Sequence, residues 1–249
     1  MTPAASRSAP DWRAARVWLF DFDNTLVALE PTVDWAASRI ELEAYLRRSG
    51  VPEELFNEVP RGNLLLFELL RSRLGGASDG APGPFAVQGL AAREPRELLR
   101  RASAIIEAYE LRGAATAAAL VGTSALLRRL RAAARTVAIV TSNSSRTVRA
   151  WLARHQLDDT VSAMVGRDAL LPLKPAPDTL RRALDLCGAA PADAVFVGDA
   201  VTDLAAAAAA QVRFLGIAPT AEARARLERA GAAVVGSPAE LDARIQTQV

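Results

Sequence analysis

The run Val17-Trp18-Leu19-Phe20 feeds directly into Asp21-Phe22-Asp23-Asn24-Thr25-Leu26, and this junction constrains the fold more than any other stretch. Four consecutive apolar residues, rich in strand formers, suit a parallel strand covered on both faces. Side chains alternate along an extended strand, so Asp21 and Asp23 tend to point the same way. Two carboxylates held that close resist joint ionisation unless a cation or a proton sits between them. The pattern offers a metal-assisted nucleophile beside a general acid. Taken alone, the same residues also read as a turn, since Asp-Asn-Thr is good turn chemistry after any strand.

Two further runs repeat the arrangement. Thr136-Val137-Ala138-Ile139-Val140 ends in Thr141-Ser142-Asn143-Ser144-Ser145, and Ala194-Val195-Phe196-Val197 ends in Gly198-Asp199, with Asp203 four residues on. Each polar cluster alone reads equally as a helix cap, because Ser, Asn and Asp are good N-cap residues. Open α/β sheets bind ligands beyond the carboxyl ends of their strands, and here three runs bring polar clusters to that one edge. Lysine usage adds a fourth point. Of the 30 basic side chains all are arginine except Lys174, which sits in the stiff segment Leu171-Pro172-Leu173-Lys174-Pro175-Ala176-Pro177. An ammonium is a compact point charge where a guanidinium is a wide planar fork, so a tight phosphoryl pocket would require the lysine. A compositional accident is the competing account.

Together these four clusters, in this order, resemble the haloacid dehalogenase superfamily, whose pattern is Asp-x-Asp-x-Thr, Ser/Thr at a strand end, Lys, then Gly-Asp-x-x-x-Asp. The resemblance covers Val17 to Leu26 and about Gly122 to the C-terminus. The stretch from Gly198 through the alanine run to Ile217 is similar to the phosphoglycolate-phosphatase-like branch, except that Gln211 stands where that branch usually has glycine. The resemblance implies Asp21 as nucleophile, Asp23 as general acid and then base, and Mg²⁺ held by Asp21, the backbone carbonyl of Asp23, and Asp199. Asp203 and Thr25 would lie behind these ligands, Asp203 also orienting Lys174. Ser142 and the backbone N–H of Asn143 would hold phosphate oxygens, and Lys174 would neutralise the transferring group. Thr141 competes with Ser142; Ser142 is preferred because the apolar run lasts through Val140 and Ser-Asn matches the family pair.

A carboxylate at Asp23 favours phosphate-ester chemistry over the dehalogenase, P-type ATPase and phosphonate-hydrolase branches, because an alkoxide leaving group needs a proton donor. The expected activity is therefore hydrolysis of a small phosphorylated metabolite. A phosphomutase uses the same residues and stays open as an alternative, as does, more weakly, a non-catalytic phosphate-binding regulatory module.

The expected fold is α/β, a doubly wound, mostly parallel Rossmann-like sheet with an inserted α-helical cap. Between Leu26 and Thr136 the β pattern stops, and helical spacing runs through Leu42, Tyr45, Leu46, Leu66, Leu69, Leu70, Leu98, Leu99, Ala102, Ile105, Ile106 and Tyr109. The division is a loose tail at 1–13, a discontinuous core at 14–29 and 122–249, and the cap at 30–121. A Gly/Pro-rich loop from Gly75 to Pro84 splits the cap. Beyond Asn143 the reading gives helices at Arg146–His155 and Asp178–Cys187, strands at Val161–Val165, Val212–Ile217 and Ala233–Val235, and a last helix opened by Pro238. Cap sequence carries little code for the substrate; Arg61, between two helical patterns, resembles arginines that reach anionic substrates, and equally reads as a solvent-facing loop residue.

A formal charge of +2, with arginines interleaved among Leu and Ala, describes solvated helix faces rather than a nucleic-acid surface. Lone Cys187 excludes a disulfide framework and reads as a small buried hydrophobe; lone His155 reads as structural. With no signal-peptide core and no apolar span of membrane length, the chain reads as soluble and cytoplasmic, a monomer or homodimer without membrane or nucleic-acid partners.

Overall fold

The computed structural model describes residues 14–74 and 95–247. The expected tail at 1–13 and the Gly75–Pro84 loop lie outside the described residues. Eight strands are present among them: β1 (Val17–Phe20), β2 (Val27–Ala28), β3 (Ala118–Ala119), β4 (Thr136–Val140), β5 (Ala163–Val165), β6 (Ala194–Gly198), β7 (Arg213–Ile217) and β8 (Ala233–Val235). Six of them form one parallel sheet in the order β5-β4-β1-β6-β7-β8. The order reverses between β4 and β6, on either side of β1, so the crevice of a doubly wound sheet opens at the end of β1.

All four β1 residues are buried, as a central parallel strand demands. Their alternation feeds two cores. Trp18 and Phe20 join Ile139, Val197 and Trp151 on one face, while Val17 and Leu19 join Val140, Phe196 and Leu184 on the other. Each such side chain, once buried, contributes roughly 1.5–3 kcal/mol relative to exposure. Helices α5 (Thr123–Ala132), α6 (Ser145–Arg154), α7 (Asp178–Cys187), α8 (Val201–Ala209), α9 (Ala221–Arg229) and α10 (Pro238–Gln246) follow the strands in alternation. Before them, α1 (Trp35–Arg48), α2 (Glu53–Glu58), α3 (Asn63–Leu74) and α4 (Pro95–Ala114) make the helical insertion with its own core of Leu42, Leu46, Phe67, Leu70, Leu98 and Ile106. Leu173, from the segment carrying Lys174, packs into that third core.

The main departure from the sequence reading is a second sheet. β2 and β3 pair antiparallel, Val27 opposite Ala119 and Ala28 opposite Ala118, and tie the two ends of the insertion together. Strands of two residues are too short to show period-2 alternation, so the sequence carries no β pattern between Leu26 and Thr136. Smaller shifts have local causes. α6 begins at Ser145 rather than Arg146 because the Ser144 side chain accepts from the Thr147 N–H and caps it. β5 begins at Ala163, not Val161, after a 3₁₀ turn at Asp158–Thr160. Gln211 has φ of 59°, the left-handed region that glycine enters freely, which accounts for glycine being usual there. Cys187 ends α7 half-buried, and His155 stacks on Trp151 at 4.1 Å between ring centres, away from the strand ends. No helix among the described residues is long and apolar enough to cross a membrane.

Candidate active site

Register places the site. Phe20 is opposite Ile139 on β4 and Val197 on β6, so the next residues of all three strands emerge side by side. The Asp21 N–H donates to Val197 O at 2.8 Å, which extends the ladder one step and fixes the carboxylate at the sheet edge. Lys174 Nζ reaches across from the loop before α7 to Asp21 Oδ1 at 2.7 Å and Asp203 Oδ1 at 2.6 Å. Asp203 lies in the first turn of α8, and its other oxygen accepts from the Ala200 N–H at 3.0 Å, closing the helix start. Gly198 is required by this packing, because a Cβ there would stand 2.4 Å from Asp203 Oδ2. Asp199 is half-buried beside them and accepts from Thr25 Oγ1 at 3.4 Å.

One ammonium thus faces three carboxylates. Oxygens of Asp21, Asp199 and Asp203 lie within 4.8 Å of one another. Burial pushes the Asp21 carboxyl up to about 7 against the pull of Lys174, with Asp203 and Asp199 adding repulsion. Asp199 is pushed up to about 6 by burial and then by Asp203. Burial opposes the charge on Lys174, but Asp203 and Asp21 outweigh it and raise its pKa above the ordinary lysine value. A surplus of negative charge on an all-oxygen donor set is the environment that suits a hard divalent cation.

Asp23 points toward the insertion. Its Oδ1 accepts from the backbone N–H groups of Leu29 at 2.9 Å and Glu30 at 3.0 Å. Burial pushes its carboxyl up to about 6 in spite of those two donors. The turn that frees it runs through Asn24 at φ 57°, a left-handed position that Asn tolerates, with Asn24 Nδ2 donating to Glu30 Oε2 at 3.0 Å. Beside Asp23 opens a cavity of ≈ 470 Å³, also lined by Glu30, Trp35, Arg39, Arg61 and Leu65. Arg61 is exposed at its wall. Arg39, which the sequence reading did not single out, is tied to Glu43 and to the carbonyls of Val59 and Gly62, so it braces the Arg61 loop.

The loop after β4 separates the two candidates for its hydroxyl. Thr141 is buried; its Oγ1 donates to Asn143 Oδ1 at 3.0 Å and accepts from the Asn143 N–H at 3.1 Å. Ser142 is half-buried, and its hydroxyl engages no other described residue. Asn143 departs from expectation: its backbone N–H, expected to face phosphate, donates to Thr141, because a buried N–H takes the nearest acceptor. Its side-chain amide donates to Glu110 Oε1 at 3.1 Å.

Glu110 and Arg167 are the residues the sequence reading missed. Both side chains are wholly buried, and they form an ion pair at 2.7 Å directly behind the Ser142–Ser144 loop. A signal for Glu110 was available: it falls in phase with Leu99, Ser103 and Ile106 on the buried face of α4, where a carboxylate requires a partner. Arg167 follows β5 in a 3₁₀ turn and gave no comparable sign.

A family model described as haloacid dehalogenase-like hydrolase matches residues 15–211. A phosphoglycolate phosphatase of Psychrobacter arcticus is 28% identical over 187 residues, covering 74% of this chain and 75% of the relative. Among solved structures, CbbY from Rhodobacter sphaeroides in complex with phosphate is similar with a TM-score of 0.54 and 25% identity, over 91% of this chain and 96% of that one. A hydrolase from Pseudomonas syringae shares the fold with a TM-score of 0.61 and 24% identity, over 94% and 99% of the two chains.

Proposed function

Since the chain belongs to the haloacid dehalogenase-like hydrolase family, we propose that it is a Mg²⁺-dependent phosphatase that hydrolyses a small phosphorylated metabolite through an aspartyl-phosphate. The observation that carries this reading is Lys174 held between Asp21 and Asp203 at the strand ends, with Asp199 alongside. The phosphatase name of the Psychrobacter relative supports the same class. Asp21, Asp199 and the backbone carbonyl of Asp23 would hold the cation, with Asp203 and Thr25 behind them. When bound, Mg²⁺ would offset charge on the transferring phosphoryl oxygens.

The protein's own groups account for the remaining steps. The Asp21 carboxylate attacks phosphorus, and the bond to the ester oxygen breaks as Asp23 gives that oxygen a proton. Asp23 then takes a proton from water, which attacks the same phosphorus and frees Asp21. A carboxyl near pH 6 is suited to exchange protons in both directions at neutral pH. Lys174 and the Ser142 hydroxyl hold the phosphoryl oxygens, an electrostatic contribution that strengthens in a site closed to water. The insertion, taken as 30–121, is the cap, and its cavity beside Asp23 receives the leaving group, with Arg61 at its wall.

Turnover of an aryl phosphate and of a panel of small phosphomonoesters, with Mg²⁺ and with excess chelator, tests the reading. Hydrolysis that needs the cation and places ¹⁸O from labelled water in the released phosphate is the expected result. Undiminished turnover in chelator would remove the metal, and isomerisation of a hexose phosphate dependent on a bisphosphate would replace the phosphatase by a mutase.

A further inference from the structure

We propose that Glu110 and Arg167 are positioning residues for the phosphate-binding loop, so that the helical insertion shapes the phosphoryl pocket from behind as well as covering the substrate. The proposal rests on the phosphatase reading and on the Ser142 loop being its phosphate cradle. Glu110 and Ser103 are seven residues apart, two turns along one face of α4, and both turn toward Arg167. Arg167 Nε donates to Ser103 Oγ at 3.1 Å. Its two terminal nitrogens donate to Glu110 Oε1 at 2.7 Å, Ser142 O at 2.8 Å, Glu110 Oε2 at 3.1 Å and Ser103 O at 3.3 Å. All five guanidinium N–H groups are thereby used.

Most of what this pair holds is loop. Arg167 fixes the Ser142 carbonyl, and its own backbone N–H donates to Asn143 O at 2.9 Å. Glu110 Oε1 accepts from the Asn143 amide at 3.1 Å, while Oε2 accepts from the Ser144 N–H at 3.1 Å and Thr147 Oγ1 at 3.3 Å. Consecutive residues 142, 143 and 144 are each pinned, while the Ser142 hydroxyl engages no other described residue. A pair serving only to join two elements would have no need to hold the carbonyl and amide groups of this turn. Every phosphoester presents the same phosphoryl group to the loop, so a displaced loop would slow all substrates alike, whatever their leaving group.

The test is a double replacement, Glu110→Leu with Arg167→Met, which removes both charges together and leaves neither buried alone. With folding confirmed by circular dichroism and thermal melting, kcat should fall about a hundredfold, the scale of an ångström-level misplacement. The drop should be equal for an aryl phosphate and for the best small ester, with their KM ratio unchanged and inhibition by inorganic phosphate weakened. A folded double variant with wild-type kcat, or a drop that depends on the leaving group, would overturn the proposal. If the double variant does not fold, Glu110→Gln carries the test, since an amide nitrogen placed against the Ser144 N–H or Arg167 must push the loop aside; wild-type kcat there would equally overturn it. Turnover by the wild-type protein in the same assay separates this outcome from failure of the phosphatase reading.

Discussion

Lys174 and Arg167 are both buried cations beyond the carboxyl ends of the strands, and the difference between their surroundings is charge balance. Arg167 meets one carboxylate, every donor it has is used, and the pair is closed to solvent. Lys174 meets two carboxylates with a third beside them, and two of the three are held well above the ordinary carboxylate range. The first arrangement is complete in the protein alone. The second is deficient in positive charge by about one divalent cation, which is the condition for binding one together with a phosphoryl group. Support and chemistry are thus assigned to neighbouring clusters, and the balanced pair acts on the chemistry only through the Ser142 loop that it holds.

The largest effect is expected at Asp21. Asp21→Asn keeps the shape but replaces the proposed nucleophile by a neutral amide, so turnover should fall by at least about 10⁴-fold, the scale seen when a covalent catalyst is removed. The same change relieves the surplus negative charge, so the metal-free variant should melt at or above the wild-type temperature at pH 8. Activity near wild type would place the nucleophile elsewhere. At Arg167 stability falls as well: Arg167→Met alone leaves Glu110 without its cation in the interior, costing about 3–5 kcal/mol of stability by denaturant unfolding. A loss under about 1 kcal/mol would mean that Glu110 finds another partner and that the balanced cluster is not built as described.

Lys174→Arg comes next, at about a hundredfold in kcat although the charge is kept, because a planar fork cannot occupy the ammonium's place between Asp21 and Asp203. Full activity would make the single lysine a compositional accident. The charge deficit also predicts a pH dependence. Asp21, Asp23 and Asp199 have folded pKa values of about 7, 6 and 6 against an ordinary 3.8, so the native state holds more protons than the unfolded chain between those limits. Stability of the metal-free protein is therefore greatest below about pH 4 as far as these groups are concerned, and declines as pH rises toward 7. Stabilisation by added Mg²⁺, read as a melting shift, should grow over the same interval, because cation and proton compete for the same oxygens. A shift independent of pH would detach the metal from these carboxylates.

How much of this was legible in the sequence follows the same division. Asp21 and Asp199 announce themselves because each ends an apolar run, and the parallel register of β1 and β6 brings those ends together; Lys174 is marked by breaking the arginine rule, and Asp203 by its spacing from Asp199. The sheet itself was legible for the same reason, since central strands are continuous apolar runs. The β2–β3 ribbon was not, being four residues in all and held by pairing partners some ninety positions apart. Neither was the brace behind the Ser142 loop. Arg167 looks like any of its neighbours in an arginine-rich chain, and Glu110 is marked only by its phase on α4; their meeting depends on how the insertion docks, which no local pattern encodes. Arg39 escaped for a similar reason, as its partners are the carbonyls of a loop twenty residues away.

The smallest effect, and the one that defines the edge of the deficient cluster, is at Arg61. It is exposed on the wall of the cavity beside Asp23, on an insertion loop that Arg39 braces from beneath. From there it would touch only the part of a substrate remote from phosphorus, so its contribution to binding would be much the same in the ground state and the transition state. Uniform binding of that kind appears in KM and leaves kcat unchanged. Arg61→Ala should therefore raise KM about tenfold, roughly the 1.5 kcal/mol at the low end for a charge-assisted contact, for an ester bearing a second anionic group. An aryl phosphate, which has nothing to offer the guanidinium, should be unaffected in both constants. Equal effects on the two substrates would show that Arg61 acts through the loop or the general field of the site, and would withdraw it as the residue that reads the leaving group.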